Sequence, residues 1–197
     1  MPRPAAAGTP AAMRVLALAD KRPPLDPAVM AEQMGVDAVV CLGDLDRAWI
    51  EPLGHLALPR LGVHGNHDEP DVLREVDVED LNGKRTSLCG LTFAGFEGCV
   101  RYGGGGRYHY TQKEATKLAR RLPAAEVLLT HCPPRGINDD PEDPAHIGFE
   151  GLLEWVRRYR PRHLLHGHTH PVAGHVMQRF EDTRVHWISG ARIVLLD

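Results

Sequence analysis

Five short apolar runs in this chain each stop on residues able to do chemistry. MRVLALAD (13–20) ends on Asp20, DAVVCLGD (37–44) on Asp44, and LPRLGVHGN (58–66) on Asn66, followed by His67, Asp68 and Glu69. EVLLTH (126–131) ends on His131, and HLLHG (163–167) opens onto His168, Thr169 and His170. Short aliphatic runs bounded by Gly, Pro or Asp predict buried strands. Helices are predicted between them. Asp26 and Pro27 give a cap and a first-turn proline to a helix running to Gly35. Thr111 and Glu114 form a capping-box pattern opening a helix to about Leu122, and residues 148–159 (GFEGLLEWVRRY) predict an amphipathic helix.

TSLCGLTFAGFEG (86–98) predicts a hairpin punctuated by Gly90. The tail, AGHVMQRF, RVHWISG and ARIVLLD, alternates and turns as a small antiparallel meander would. Strands alternating with helices, then an antiparallel finish, point to an α/β sandwich on mixed sheets. One domain is expected over 13–197, with 1–12 as a flexible leader that leaves Met1 and Met13 both open as the start. GGGG (103–106) is expected as a surface loop, with the rim of a site as the alternative.

A net charge of −3 argues against a general binder of nucleic acid or anionic membrane. The four cysteines, Cys41, Cys89, Cys99 and Cys132, form no CxxC pair, so a reducing cytoplasm suits the chain better than a disulfide framework. No apolar run reaches the roughly 18 residues of a membrane span, and the opening MPRPAAAGTPAA lacks the apolar centre of a signal peptide.

In α/β sheets ligands bind at the carboxyl ends of strands, so five such ends can converge on one point. Four histidines fall in HLLHGHTH alone, of 12 in the whole chain, which calls for a metal. A two-metal centre needs neutral imidazoles, oxygen ligands and a carboxylate bridging ions about 3.5–4 Å apart. Asp44 is the natural bridge. His168 and His170, two apart on an extended segment, are expected to point the same way, and Gly43 and Gly167 leave room for close backbone approach.

The ordered series D-x-x, GD, GNHD, TH and GHTH resembles the calcineurin-like metallophosphoesterase superfamily over nearly the whole chain. THCPPRGINDDPEDPAHIG, then a helix and GHTH, resembles its small single-domain prokaryotic members. The resemblance implies a four-layer α/β/β/α sandwich with two mixed β-sheets flanked by helices. It implies hydrolysis of phosphate mono- or diesters by a hydroxide at a dinuclear centre of two divalent transition-metal ions, Mn, Fe or Zn. By that resemblance Asp20, Asp44 and His170 hold the first ion, and Asp44, Asn66, His131 and His168 the second. His67 would protonate the departing oxygen and Asp68 would orient His67.

One position departs from the family pattern. The usual D-x-H is here Asp20-Lys21-Arg22, and a guanidinium offers no lone pair, so the first site is expected to be the weaker. Arg22 either grips substrate phosphate in a bidentate contact or turns to solvent or to an acid such as Asp46. His146 lies in a loop that can lean over the metals, a candidate substrate contact. His166 and His64 are expected as packed residues, and Cys41 and Cys132 as small buried hydrophobes. Two rivals stay open: a non-catalytic scaffold binding a protein partner, which Arg22 favours slightly, and a nuclease, which the acidic balance disfavours. The expected substrate is a small or exposed phosphate ester.

Overall fold

The computed structural model describes residues 12–172 and 174–197, so the leader expected at 1–12 lies almost wholly outside the described residues. In chain order the elements begin with β1 (Met13–Ala19), α1 (Pro27–Met34), β2 (Ala38–Cys41), α2 (Arg47–Ile50), a 3-10 turn (Glu51–His55), β3 (Arg60–Gly62) and α3 (Val72–Glu75). There follow β4 (Glu79–Asp80), β5 (Arg85–Leu88), β6 (Leu91–Phe96), β7 (Cys99–Val100), β8 (His109–Tyr110) and α4 (Gln112–Ala119). The chain ends with β9 (Val127–Thr130), α5 (Glu150–Tyr159), β10 (His163–His166), β11 (Arg179–Phe180), β12 (Thr183–Trp187) and β13 (Gly190–Leu196).

The strands build a five-stranded sheet, β13-β1-β2-β3-β4, and a six-stranded sheet, β11-β12-β10-β9-β6-β5. Each has a parallel centre and an antiparallel edge: β13 runs against β1, β5 against β6 and β11 against β12. Three apolar clusters give the layers. Val15, Ala17 and Val40 of the first sheet meet Phe93, Leu129 and Leu165 of the second between the two sheets. Leu16, Leu18 and Val39 face outward against Ala31, Trp49 and Leu73 of the first helical layer. Leu128 and Leu164 face outward against Ala115, Leu152 and Trp155 of the second. The molecule is a four-layer α/β/β/α sandwich. Strands buried on both faces explain why the central runs are continuously apolar rather than alternating.

Local chemistry sets the helix ends. Asp26 accepts from Ala28 N and Val29 N at the start of α1, and Gly35, with φ of 56°, closes it in the left-handed conformation. Thr111 and Glu114 form the reciprocal capping box of α4, which ends at Ala119, three residues before the expected Leu122. The hairpin turning through Cys89 and Gly90 forms as expected. Among the described residues no helix is long and apolar enough to cross a membrane.

The tail corrects the sequence reading. β11 and β12 form a hairpin, but β12 then pairs in parallel with β10, and β13 leaves for the other sheet to pair along all of β1 from Met13↔Leu196 to Ala19↔Gly190. No meander forms. Val194 and Leu196 are buried between the sheets, and β13 covers the edge of β1 that would otherwise be open. Gly190, with φ of 82°, makes the change of sheet in a conformation few other residues adopt without strain.

At the far end of the second sheet from the strand C-termini, His163 Nδ1 lies 3.0 Å from His186 Nε2. Two imidazoles this close cannot both be charged. Burial, aided by the charge of His163, pushes His186 down to about 4, and burial also lowers His163. A histidine that titrates near 6.5 when unfolded binds fewer protons in the folded state between about 6.5 and 4, so stability falls as pH drops through that window. Thermal melts should therefore show a lower Tm at pH 5 than at pH 7. His186→Gln should flatten part of that slope. An unchanged slope in the variant would show that His186 does not contribute.

Candidate metal centre

His131 directly follows β9 and is fully buried. Its Nδ1 lies 2.8 Å from the Leu42 carbonyl, to which only a protonated nitrogen can donate. Nε2 then faces Asn66 Oδ1 at 3.0 Å and Asp44 Oδ2 at 3.4 Å. A neutral ring would present a lone pair to two oxygens, a repulsive arrangement relieved only by a proton or a cation between them. The donor set therefore fits a metal ion.

His168, beyond β10, repeats the arrangement: its Nε2 donates to the Ala145 carbonyl at 2.8 Å, leaving Nδ1 free as a ligand. One donor atom from each of Asp44, His131 and His168 lies within 4.8 Å of the others. Asp20 closes the group, its two carboxylate oxygens accepting from His168 N, both at 3.1 Å. Asp44 Oδ1 accepts from His67 N at 2.8 Å while its Oδ2 faces His131.

The backbone is bent to make this possible. Asp20, Asp44 and His168 have φ of 60°, 54° and 65°. The left-handed region costs such residues about 1 kcal/mol or more each, and strain of this kind gathers at functional sites. The extended conformation expected from His168 to His170 is thus not adopted. His168 is buried and His170 exposed. Gly43, with φ of 91°, lets this turn pack directly on its neighbour, because a Cβ there would collide with the Gly65 backbone and lie 2.8 Å from His131 Nδ1.

Charge follows from this packing. Burial alone would raise the Asp44 carboxyl, but hydrogen bonding and charge from His131 outweigh it and hold it at about 2. Burial would lower His131, and Asp44 overrides it, lifting the imidazole to about 9. Burial takes Asp20 up to about 6, and burial with the charge of His131 takes His168 down to about 3. The group is thus a tight alternation of acid and base around one point.

Two clefts flank it. One, of 640 Å³, is lined by Asp20, Asp44, Asp46, Arg47, His67 and Glu69 among others. The other, of 570 Å³, holds Asp143, His146 and His170. His67 is exposed in the first, with only its backbone tied to Asp44. Asp68 is buried, and its two oxygens accept from Leu45 N at 2.6 Å and Gly65 N at 2.7 Å. It clamps two turns together rather than holding the His67 ring as the sequence reading had it.

His146 comes to the centre, its ring 5.2 Å from those of both His168 and His170, with Nδ1 held by Asp143 at 2.6 Å. Arg22 does not. It is exposed and lines neither cleft, so the expected phosphate contact finds no geometric support. His166 is packed, accepting from Asn138 Nδ2 at 3.0 Å. Cys41 and Cys132 are buried and free. Sequence reasoning missed the Ala145 carbonyl and Tyr102, whose hydroxyl takes the Asn66 amide at 3.4 Å. A backbone carbonyl leaves no trace in residue identity. Tyr102, next to the glycine run, could have been found by treating that run as a rim.

The family model for calcineurin-like phosphoesterases matches residues 13–172. No curated protein matches the chain in sequence. One solved structure superposes with a TM-score of 0.62 at 17% identity, covering 94% of this chain and 100% of its own. TT1561 of Thermus thermophilus gives 0.57 at 19% identity, over 79% of this chain and 81% of that one. A hypothetical protein from the same organism gives 0.51 at 18% identity, over 90% and 76%. At these identities the structures speak for the fold, and the family model for membership. Together with the donor set around His131, they show that the chain belongs to the calcineurin-like phosphoesterases, a family of metal-dependent hydrolases of phosphate esters.

Proposed function

We propose that this chain hydrolyses small or exposed phosphate mono- or diesters at a dinuclear metal centre. The observation that carries the reading is the His131 imidazole, whose Nε2 faces Asn66 Oδ1 and Asp44 Oδ2 while Nδ1 is committed to Leu42. Asp20, Asp44 and His170 would hold one ion and Asp44, Asn66, His131 and His168 the other. Bound divalent ions supply Lewis acidity toward phosphoryl oxygens and a nucleophile from water near neutral pH. Mn²⁺, Fe or Zn²⁺ suits the mixed nitrogen and oxygen donors. The exposed His170 and the absence of a D-x-H histidine support a weaker first site.

His67 stands in the larger cleft with its ring free and its backbone fixed by Asp44, a placement suited to delivering a proton to a departing alkoxide. Asp68 serves this by locking the turns on which Asp44 and His67 sit. Opposite, His146 and His170 flank the approach to the centre. The acid-rich wall of the larger cleft supports a compact ester over a polyanion such as a nucleic acid. Free cysteines suit a cytoplasmic setting.

Replacing His168 by Ala should lower the bound metal measured by elemental analysis and abolish ester hydrolysis, because an imidazole ligand is removed. Full metal content and full turnover in that variant would overturn the ligand assignment.

His67→Ala should leave metal content unchanged. It should slow esters with poor leaving groups by roughly 10²–10⁴-fold, the range of general-acid catalysis, and nitrophenyl esters far less. Equal losses on both ester types would assign His67 to binding.

A further inference from the structure

Beside the centre lies a second polar cluster that the chemistry above does not use. His64, two residues before Asn66, is only 6% exposed, and neither of its ring nitrogens has a hydrogen-bond partner. Its ring stacks on Tyr108 with centroids 4.8 Å apart. Its Nδ1 points to Glu97 Oε2 at 3.6 Å. Glu97 is 7% exposed, and its other oxygen accepts from Tyr110 Oη at 2.5 Å. Asp80, half-buried at the end of β4, completes the set, with one donor atom from each of the three residues within 4.8 Å of the others.

The 3.6 Å separation is too long for a hydrogen bond. It is close to the roughly 3.4 Å between neighbouring ligands around a tetrahedral ion with bonds of roughly 2.0–2.2 Å. A buried imidazole with both nitrogens unpartnered beside two carboxylates is unfavourable for a fold unless something occupies the space between them. We propose that His64, Asp80 and Glu97 hold a Zn²⁺ ion separate from the catalytic ions. One imidazole and two carboxylates are donors that Zn²⁺ accepts, with water completing four ligands.

The placement gives the site a task. His64 continues β3 toward Asn66, His67 and Asp68, Asp80 ends β4, and Glu97 follows β6. β3 and β4 are paired in one sheet, and beyond that pairing the β6 segment meets them through Gly98 N to the His64 carbonyl at 2.8 Å, Gly83 N to the Gly95 carbonyl at 3.0 Å and Glu97 N to Asn82 Oδ1 at 3.3 Å. An ion here ties the stem of the Asn66–Asp68 turn to both sheets, since β4 belongs to one and β6 to the other.

The test uses the full chain carrying Asp44→Asn and His168→Ala, which removes catalytic ligands, so its outcome does not depend on the hydrolytic reading. After chelator treatment, this protein should take up one equivalent of Zn²⁺ in a calorimetric titration and melt at a higher temperature with the ion than without. Adding Glu97→Gln, nearly isosteric, should abolish that uptake and the thermal shift. Asp80→Asn, at a less buried position, should weaken uptake at least tenfold and serves if the Glu97 variant fails to fold. No uptake in the parent variant would overturn the proposal, leaving His64 and Glu97 as a loose ion pair. So would an equivalent that persists unchanged in both added variants.

Discussion

The structure turns on one buried imidazole at the seam of two sheets. His131 continues β9 of the six-stranded sheet, yet its Nδ1 binds the carbonyl of Leu42, which continues β2 of the other. Beside it, Asp20 beyond β1 receives the backbone amide of His168 beyond β10. Both ties sit at the carboxyl ends of the strands, where the apolar layer between the sheets stops. The hydrophobic contact that holds the sandwich has no direction, whereas these hydrogen bonds fix how the two edges meet. The candidate metal donors are therefore positioned by the same bonds that register the sheets.

That dual use is destabilising in charge and in backbone strain. Without a cation, burial and mutual attraction set Asp44 near 2 and His131 near 9, an ion pair kept out of water, while Asp20 sits near 6. Three left-handed non-glycine residues surround the same point. A fold selected for stability alone would avoid both. A divalent ion held by Asp44, Asn66 and His131 would relieve the electrostatic part, since metal binding replaces protons on such ligands.

The turns that bear Asp44 and His67 are braced from below. Asp68 commits both oxygens to the Leu45 and Gly65 amides, so a carboxylate one residue from His67 acts on backbone geometry. His67 itself stays exposed at the mouth of the cleft, a position that would suit the proton transfer proposed for it.

Much of this was legible in the chain. Continuous apolar runs ending on Asp, Asn or His marked strands buried on both faces and placed their polar ends on one edge, because parallel strands must all end there. Capping residues located α1 and α4, since those bonds are local. The destination of β13 was not legible: an alternating strand after a hairpin suits either sheet, and only the open edge of β1 decides between them. Nor was the left-handed turn at His168, because such a residue between strand and loop depends on the Asp20 carboxylate that holds its amide. The sequence by itself determined which residues can bind a metal and that they share an edge. Tertiary structure decided which atoms face one another, because the Leu42 and Ala145 carbonyls that orient the two imidazoles are backbone groups, identical in every residue and placed only by the fold.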